Sequence, residues 1–346
     1  MQSITLNNIT IQHLIGKGKY GEVYRCNNNE GNNNIESYAI KKINRKQVSK
    51  TKSQIQHIFA EKQCLMECTD CKYIVNLIQT LKDDEFLYFL MELIDGEPLF
   101  HFLRNISTLK MIQNNFQIQQ QIGYEILLAL EFVHKKGFLY RDLKASNVLL
   151  DYNGHIKLID FGYSKKIDDN NRATTFLGTL HSMSPEILSP DVDIEYGYEV
   201  DHWAFGVIIY ELFIGKPPYI TNSREEMLKI AKTSYEEIME KEFQTIVDEK
   251  EGQDSSEIFA SNVLNIKDLL NKIWKQVPKE RLGYLNGFDE MKKHPYFMNY
   301  DINSVNSNIA MINMINEYKQ VHGGGNNKKD VMLNESVVDQ ELFKGF

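Results

Sequence analysis

The hydrophobic period of this chain changes once, near Pro98, and that change limits the folds open to it. Before it, apolar residues come in short alternating or β-branched runs: Ile9 to Ile15, Gly21 to Cys26, Ser37 to Ile43, Ile74 to Leu81 and Phe86 to Leu93. Runs of that length and composition make strands. One helical stretch interrupts them, Ser53 to Met66, with Ile55, Ile58, Phe59 and Leu65 on related faces. After Pro98 the spacing turns helical. Ile118 to His134 carries Ile122, Ile126, Leu127, Leu130 and Val133 at helical intervals and stops at Gly137. Trp203 to Ile214 is apolar nearly all round, as a buried helix is. Lys241 to Asn262 is acidic and mixed, and reads as a solvated loop with helical pieces. The expected fold class is α+β and bilobal. Residues 1–94 form a small antiparallel β-sheet lobe with one helix, and residues 95–298 a larger, mainly helical lobe, with a cleft between them. A tail, residues 299–346, follows, with a flexible hinge at His322-Gly323-Gly324-Gly325-Asn326-Asn327.

The 346 residues suffice for two domains or one two-lobed unit, and the net charge of −8 argues against a general nucleic-acid or membrane-surface binder. No apolar run is long enough to span a bilayer, Met1-Gln2-Ser3-Ile4-Thr5 does not read as a leader, and Gln2 excludes N-myristoylation. The expectation is a cytoplasmic protein, with the nucleus as a second location, and no nucleic-acid or membrane partner. Cys64, Cys68 and Cys71 lie close together, but no second ligand pair follows them. They read as part of a helix and its exit loop in reducing surroundings rather than as a zinc site.

Two motifs fall where the lobes would meet. Gly16-Lys17-Gly18-Lys19-Tyr20-Gly21 is a glycine-rich turn between two strands, where backbone N–H groups can approach phosphates closely. Alone it also fits a hairpin turn or a dinucleotide fold, although a strand follows it where the dinucleotide fold needs a helix. Lys41 ends the third strand, in Tyr38-Ala39-Ile40-Lys41, and could hold the α- and β-phosphates if a carboxylate orients it. Glu61, in mid-helix, is its best partner. The second motif is Tyr140-Arg141-Asp142-Leu143-Lys144-Ala145-Ser146-Asn147, followed by Asp160-Phe161-Gly162. It sets Asp142 where a carboxylate could accept a hydroxyl proton. It sets Asn147 and Asp160 where an amide and a carboxylate could hold Mg²⁺, and Lys144 where an ammonium could neutralise a transferred phosphate. Phosphoryl transfer from ATP to a protein hydroxyl requires such a set. Taken singly, each residue is a turn or capping group; their order carries the reading.

With these motifs, Lys46-Gln47-Val48 and Gln56-His57-Ile58-Phe59-Ala60-Glu61-Lys62, residues 9 to 300 resemble a eukaryotic protein kinase of the AGC group. The resemblance is nearest to the catalytic subunits of cAMP-dependent kinases. It implies a serine/threonine protein kinase that uses ATP and Mg²⁺. It implies catalytic roles for Asp142, Lys144, Lys41, Glu61 and Thr179, and metal roles for Asn147 and Asp160. The nucleotide site it implies comprises Ile15, Gly16, Gly18, Tyr20, Gly21, Val23, Ala39, Lys41, Met91, Leu149 and Asp160, with the backbone of Glu92 and Ile94 on the adenine edge. Leu65, Leu77, Tyr140 and Phe161 would stack between the lobes. Thr175 would be phosphorylated, by an activation-loop kinase or by the chain itself, and met by His57, Arg141 and Lys165. Glu186 and Arg281 would form a buried ion pair, and Asp201 would hold the catalytic-loop backbone.

The substrate-reading positions depart from the group. Ala145-Ser146 stands for Pro-Glu, Leu180-His181-Ser182 for Pro-Glu-Tyr, and Glu97-Pro98 is shifted by one. Glu97 and Glu211 remain as expected substrate-binding acids, so a preference for arginine beside the target is expected to be weakened or changed. The tail lacks the group's acidic ATP-touching segment, and Met332 stands at its turn-motif serine. It ends in Phe343-Lys344-Gly345-Phe346, a Phe-x-x-Phe that cAMP-dependent kinases dock on the small lobe. Control by cAMP or cGMP would need a separate cyclic-nucleotide-binding regulatory subunit. The alternatives are another AGC kinase, cGMP-dependent-like or divergent and free of such a subunit, and a kinase-fold scaffold. Retention of Lys41, Asp142 and Asp160 disfavours the last.

Overall fold

The computed structural model describes residues 4–18, 21–28, 36–168, 172–190, 195–233, 235–250, 257–298, 300–302 and 305–322. Five strands build the small lobe: β1 (Ile9–Lys17), β2 (Glu22–Asn28), β3 (Glu36–Asn44), β4 (Leu77–Lys82) and β5 (Phe86–Glu92). They pair antiparallel in the order β1-β2-β3-β5-β4. A short α1 (Arg45–Val48) precedes α2 (Lys52–Glu67), whose first turn is capped by the Thr51 side chain accepting from the Gln54 N–H. The inward stripe of α2 is Ile58, Glu61, Cys64 and Leu65. Ile55 and Phe59, expected on that face, are exposed, Phe59 at 66%. Residues 58, 61 and 65 follow the i, i+3, i+7 rule, and position 59 lies a step of about 100° around the helix. All four cysteines are buried and free, and among the described residues no metal-ligand cluster occurs.

The large lobe opens with β6 (Gly96–Pro98), α3 (Leu99–Arg104), α4 (Ile106–Asn114) and α5 (Phe116–Lys135). Short strands follow: β7 (Phe138–Leu139), β8 (Val148–Asp151), β9 (Ile156–Leu158) and β10 (Lys165–Lys166), paired as β6-β8-β9 and β10-β7. Then come α6 (Pro185–Leu188), α7 (Glu199–Ile214), α8 (Arg224–Thr233), α9 (Tyr235–Lys250), α10 (Glu257–Ile273), α11 (Phe288–Lys292) and α12 (Val305–His322). Every residue of α7 is buried, as its all-round apolar sequence predicts. This is the bilobal protein-kinase fold.

Of the stretch Lys241 to Asn262, expected as a solvated loop with helical pieces, residues 241–250 continue α9 and residues 257–262 begin α10, while 251–256 lie outside the described residues. The reason is a stripe that begins before the acidic run. Tyr235, Met239 and Phe243 are buried at four-residue spacing, and the Phe243 ring lies 4.7 Å from that of Phe213 on α7. The acids cover only the outer face. Helix α12 packs on α4 and α5 through Met311, Met314, Ile315 and Tyr318, all buried, and the Tyr318 ring meets that of Phe102 at 4.5 Å. The expected hinge from Gly323, Met332 and the terminal Phe-x-x-Phe lie outside the described residues. Among the described residues no helix is long and apolar enough to cross a membrane.

The large lobe is locked by Arg281, whose side chain is wholly buried. It donates to both Glu186 oxygens, at 2.5 and 2.6 Å, and to the carbonyls of Glu199 and Lys275. Removing the cation strands a buried carboxylate. Arg281→Ala should therefore lower unfolding free energy by about 3–5 kcal/mol, read from urea denaturation. A midpoint shift no larger than that of a surface control would contradict this account.

Candidate active site

Strand β3 carries Lys41 into the interior between the lobes. Its Nζ lies 2.6 Å from Glu61 Oε1 and 3.3 Å from Asp160 Oδ1. Burial works against its charge, but the Asp160 and Glu61 carboxylates outweigh that and hold the ammonium protonated. One lysine thus joins the strand, α2 and the segment after β9.

The loop between β7 and β8 is set by Asp201, in the first turn of α7. Its oxygens accept the backbone N–H of Tyr140 at 2.9 Å and of Arg141 at 2.8 Å, and His134 Nε2 lies 2.8 Å away. Arg141 holds a left-handed backbone, φ 69°, a conformation uncommon for residues other than glycine. Asp142 follows, buried. Its Oδ1 accepts the Thr179 hydroxyl at 2.8 Å and its Oδ2 the Asn147 amide at 2.8 Å. Lys144 Nζ lies 3.4 Å from Asp142 Oδ2 and donates to Thr179 Oγ1 at 3.1 Å. Burial and the nearby Asp160 charge push the Asp142 carboxyl above its ordinary value, although Lys144, Thr179 and Asn147 pull the other way. A carboxylate so placed is a better proton acceptor than one in water.

Asp160 is the second left-handed non-glycine residue, φ 55°. It accepts the Gly162 N–H at 3.2 Å. Burial raises its carboxyl, but Lys41, the Gly162 N–H and Lys144 outweigh that and bring it below the usual aspartate value. Its side chain is 38% exposed, against 2% for Asp142, so Asp160 faces the cleft. The Asn147 amide nitrogen is engaged by the Asp142 carbonyl and carboxylate, which leaves its oxygen as the free coordinating atom. Two hard oxygen donors fit Mg²⁺ bound jointly by protein, phosphate and water. Among the described residues no three His, Cys, Asp or Glu side chains converge, so phosphate oxygens would complete the coordination.

The structure brings Lys41, Glu61, Asp142, Lys144, Asn147, Asp160 and Thr179 together as expected. On the nucleotide side, Ala39 and Met91 are buried and opposite each other in β3 and β5, while Ile15, Val23, Ile94 and Leu149 are half-buried. Gly16 and Gly18 would have room for a Cβ, but at Gly21 a Cβ would sit 2.4 Å from the Lys42 carbonyl. The third glycine is thus demanded by strand packing. Tyr20 lies outside the described residues. The Glu92 N–H is given to the Asn76 carbonyl at 2.9 Å, so any base contact from that residue must come from its carbonyl. Leu65, Leu77, Tyr140 and Phe161 are buried in one cluster, with the last two rings edge to face at 5.0 Å.

Thr175 is exposed, and Arg141 Nη1 donates to its hydroxyl at 2.9 Å. Of the other two expected partners, Lys165 donates to the Arg172 carbonyl at 3.0 Å, and His57 sits half-buried on α2. Tyr196, which no local signal marks, accepts from Arg141 at 3.0 Å and donates to the Thr175 carbonyl at 2.6 Å. Glu97 pairs with His101, at 3.1 Å. Glu211 is buried on α7, and burial pushes its carboxyl up to about 8.

Comparison with known proteins agrees with this geometry. The protein kinase domain family matches residues 9–297. The cGMP-dependent protein kinase, isozyme 2 forms cD5/T2, of Drosophila melanogaster is 31% identical over 301 residues, 86% of this chain and 29% of that protein. Serine/threonine-protein kinase YPK1 of Saccharomyces cerevisiae is 34% identical over 299 residues, 85% of this chain and 38% of that protein. Protein kinase C delta type of Homo sapiens is 31% identical over 296 residues, 84% and 38%. The chain thus spans less than two fifths of the length of these curated relatives.

Asp201→Ala would leave two buried N–H donors unpaired, costing about 1–3 kcal/mol for each. Hydrogen exchange should show lost protection at the Tyr140 and Arg141 amides while helix α10 stays protected. Unchanged protection at both amides would refute the anchoring role.

Proposed function

The chain belongs to the protein kinase family, and on that premise we propose that it is an AGC-type serine/threonine kinase moving the ATP γ-phosphate to protein hydroxyls. The observation that carries this reading is the convergence of Asp142, Lys144 and Thr179 within hydrogen-bonding reach of one another, beside the Lys41, Glu61 and Asp160 triad. An acceptor hydroxyl replacing Thr179 at Asp142 would be oriented for in-line attack and give up its proton to the carboxylate. Lys144 neutralises charge building on the transferred group. Lys41, fixed by Glu61, holds the remaining phosphates. Mg²⁺, when bound at Asn147 and Asp160, supplies charge neutralisation for the phosphate oxygens.

Within the AGC group, relatives named as cGMP-dependent kinases, YPK1 and protein kinase C delta type match over the same stretch. They lend no support to the cAMP-dependent type expected from the sequence. They favour the alternative, a cGMP-dependent-like or divergent AGC kinase not controlled by a cAMP-binding subunit. The exposed Thr175, already hydrogen-bonded to Arg141, supports control by activation-segment phosphorylation.

With purified protein, transfer to serine and threonine peptides should need Mg²⁺ and stop on chelation. Asp142→Asn should lower kcat by about 10²–10⁴ with nucleotide affinity retained; equal rates in the variant and the parent would end the reading. Thr175→Ala should reduce kcat strongly without lowering Tm. Full activity in that variant would show that the segment needs no phosphate.

A further inference from the structure

One stretch of chain grips Arg141 at both ends. Asp201, in the first turn of α7, accepts its backbone N–H at 2.8 Å. Tyr196, just ahead of α7, accepts from its guanidinium Nη1 at 3.0 Å and donates its own hydroxyl to the Thr175 carbonyl at 2.6 Å. Both side chains lie in the interior, Arg141 at 6% exposure and Tyr196 at 2%. The guanidinium is a buried cation met by neutral oxygens. Its Nη1 also donates to Thr175 Oγ1 at 2.9 Å, and its Nε to the Tyr163 carbonyl at 2.6 Å. A phenylalanine at 196 would fill the same space as the tyrosine. The hydroxyl adds an acceptor for the buried cation and a donor for the backbone carbonyl, and a buried group that loses such a partner is costly.

The activation segment is moored to the same stretch. Ala173 and Tyr196 exchange both backbone hydrogen bonds as an isolated antiparallel bridge, at 2.9 and 2.8 Å. Arg172 pairs with Glu199 in the first turn of α7, and its carbonyl accepts from Lys165 Nζ at 3.0 Å. All of these contacts are made with Thr175 unmodified. They turn the Thr175 carbonyl toward Tyr196 and its hydroxyl toward Arg141. A phosphate added at Oγ1 would meet the same guanidinium, through shorter and stronger charge-assisted bonds. Before that addition, Tyr196 supplies Arg141 with an acceptor that no modification needs to create.

We propose that the Tyr196 hydroxyl is a positioning group that stands in for phosphate. While Thr175 is unmodified it holds Arg141, and with it the loop carrying Asp142, against the activation segment, and so gives the unphosphorylated chain a basal activity. The proposal rests on the kinase reading above. The test is kcat on a serine peptide, with ATP and Mg²⁺, for the full chain in two forms: phosphatase-treated, and with phosphothreonine incorporated at position 175 during synthesis. In the treated form Tyr196→Phe should lower kcat about tenfold, with the KM for ATP unchanged. In the phosphorylated form the bond from Arg141 to phosphate takes over, and the same variant should lose less than about twofold. A tyrosine with a merely structural role would cost both forms alike, and that result would overturn the proposal. So would a treated parent that transfers nothing beside an active phosphorylated one. Thr175→Val keeps the carbonyl that Tyr196 holds and should stay within about twofold of the treated parent. A loss of about tenfold there would assign Arg141 to the Thr175 hydroxyl and overturn the proposal, even where Tyr196→Phe fails to fold. Transfer by neither form, to serine or threonine peptides or to a mixed protein substrate, would overturn the kinase reading and the proposal with it.

Discussion

A single buried carboxylate, Asp201, holds the catalytic half of this molecule in shape. Two consecutive backbone N–H groups, of Tyr140 and Arg141, end on it, and the second of these residues, directly before Asp142, takes a left-handed conformation. That conformation costs an L-residue about 1–2 kcal/mol, so it persists only where something overrides it. The override is α7, buried along its whole length and therefore unable to shift without opening the core. Three functions hang on it at once: Tyr140 enters the inter-lobe stack, Arg141 reaches Thr175, and Asp142 meets Thr179.

The two aspartates of the site have been driven in opposite directions by their surroundings. Asp142 lies deep, with its lysine at 3.4 Å, and its carboxyl is raised. Asp160 is open to the cleft beside the buried Lys41 ammonium, and its carboxyl is lowered. Separation of that kind divides labour between like groups: one suited to handling a proton, the other to staying anionic against a cation. The same Lys41 that lowers Asp160 binds α2 through Glu61, so movement of α2 would loosen both the lysine and the aspartate.

Much of this was legible from residue order. Lys41, Glu61, Asp142, Asn147 and Asp160 were placed by motif spacing, because phosphotransfer chemistry tolerates few arrangements. The buried pair of Glu186 and Arg281 and the anchor at Asp201 followed from resemblance. What escaped has physical reasons. Phe59 and Ile55 on α2 look like core by composition, yet the inward stripe there is interrupted by the charged Glu61. Helix α9 hid because its acids mask a stripe that starts at Tyr235. Tyr196 could not be found, since its contacts to Arg141 and Thr175 join segments far apart in sequence. By sequence alone the glycine-rich turn fits a phosphate cradle or a plain hairpin turn, whereas Gly21 answers to the neighbouring strand.

Helix α12 buries Met311, Met314, Ile315 and Tyr318, and brings His322 within 3.0 Å of Asn105, next to α3. Eighteen residues of helix make a rod about 27 Å long, laid from the turn between β8 and β9, where Asn308 and Ile312 approach Gly154, to Asn105 between α3 and α4. Such a rod has a phase as well as a length. Inserting or deleting one residue between Met311 and Tyr318 would turn its far end by about 100°, and Tyr318 would leave Phe102. The segment is therefore confined to steps of whole turns, although it holds none of the reacting groups.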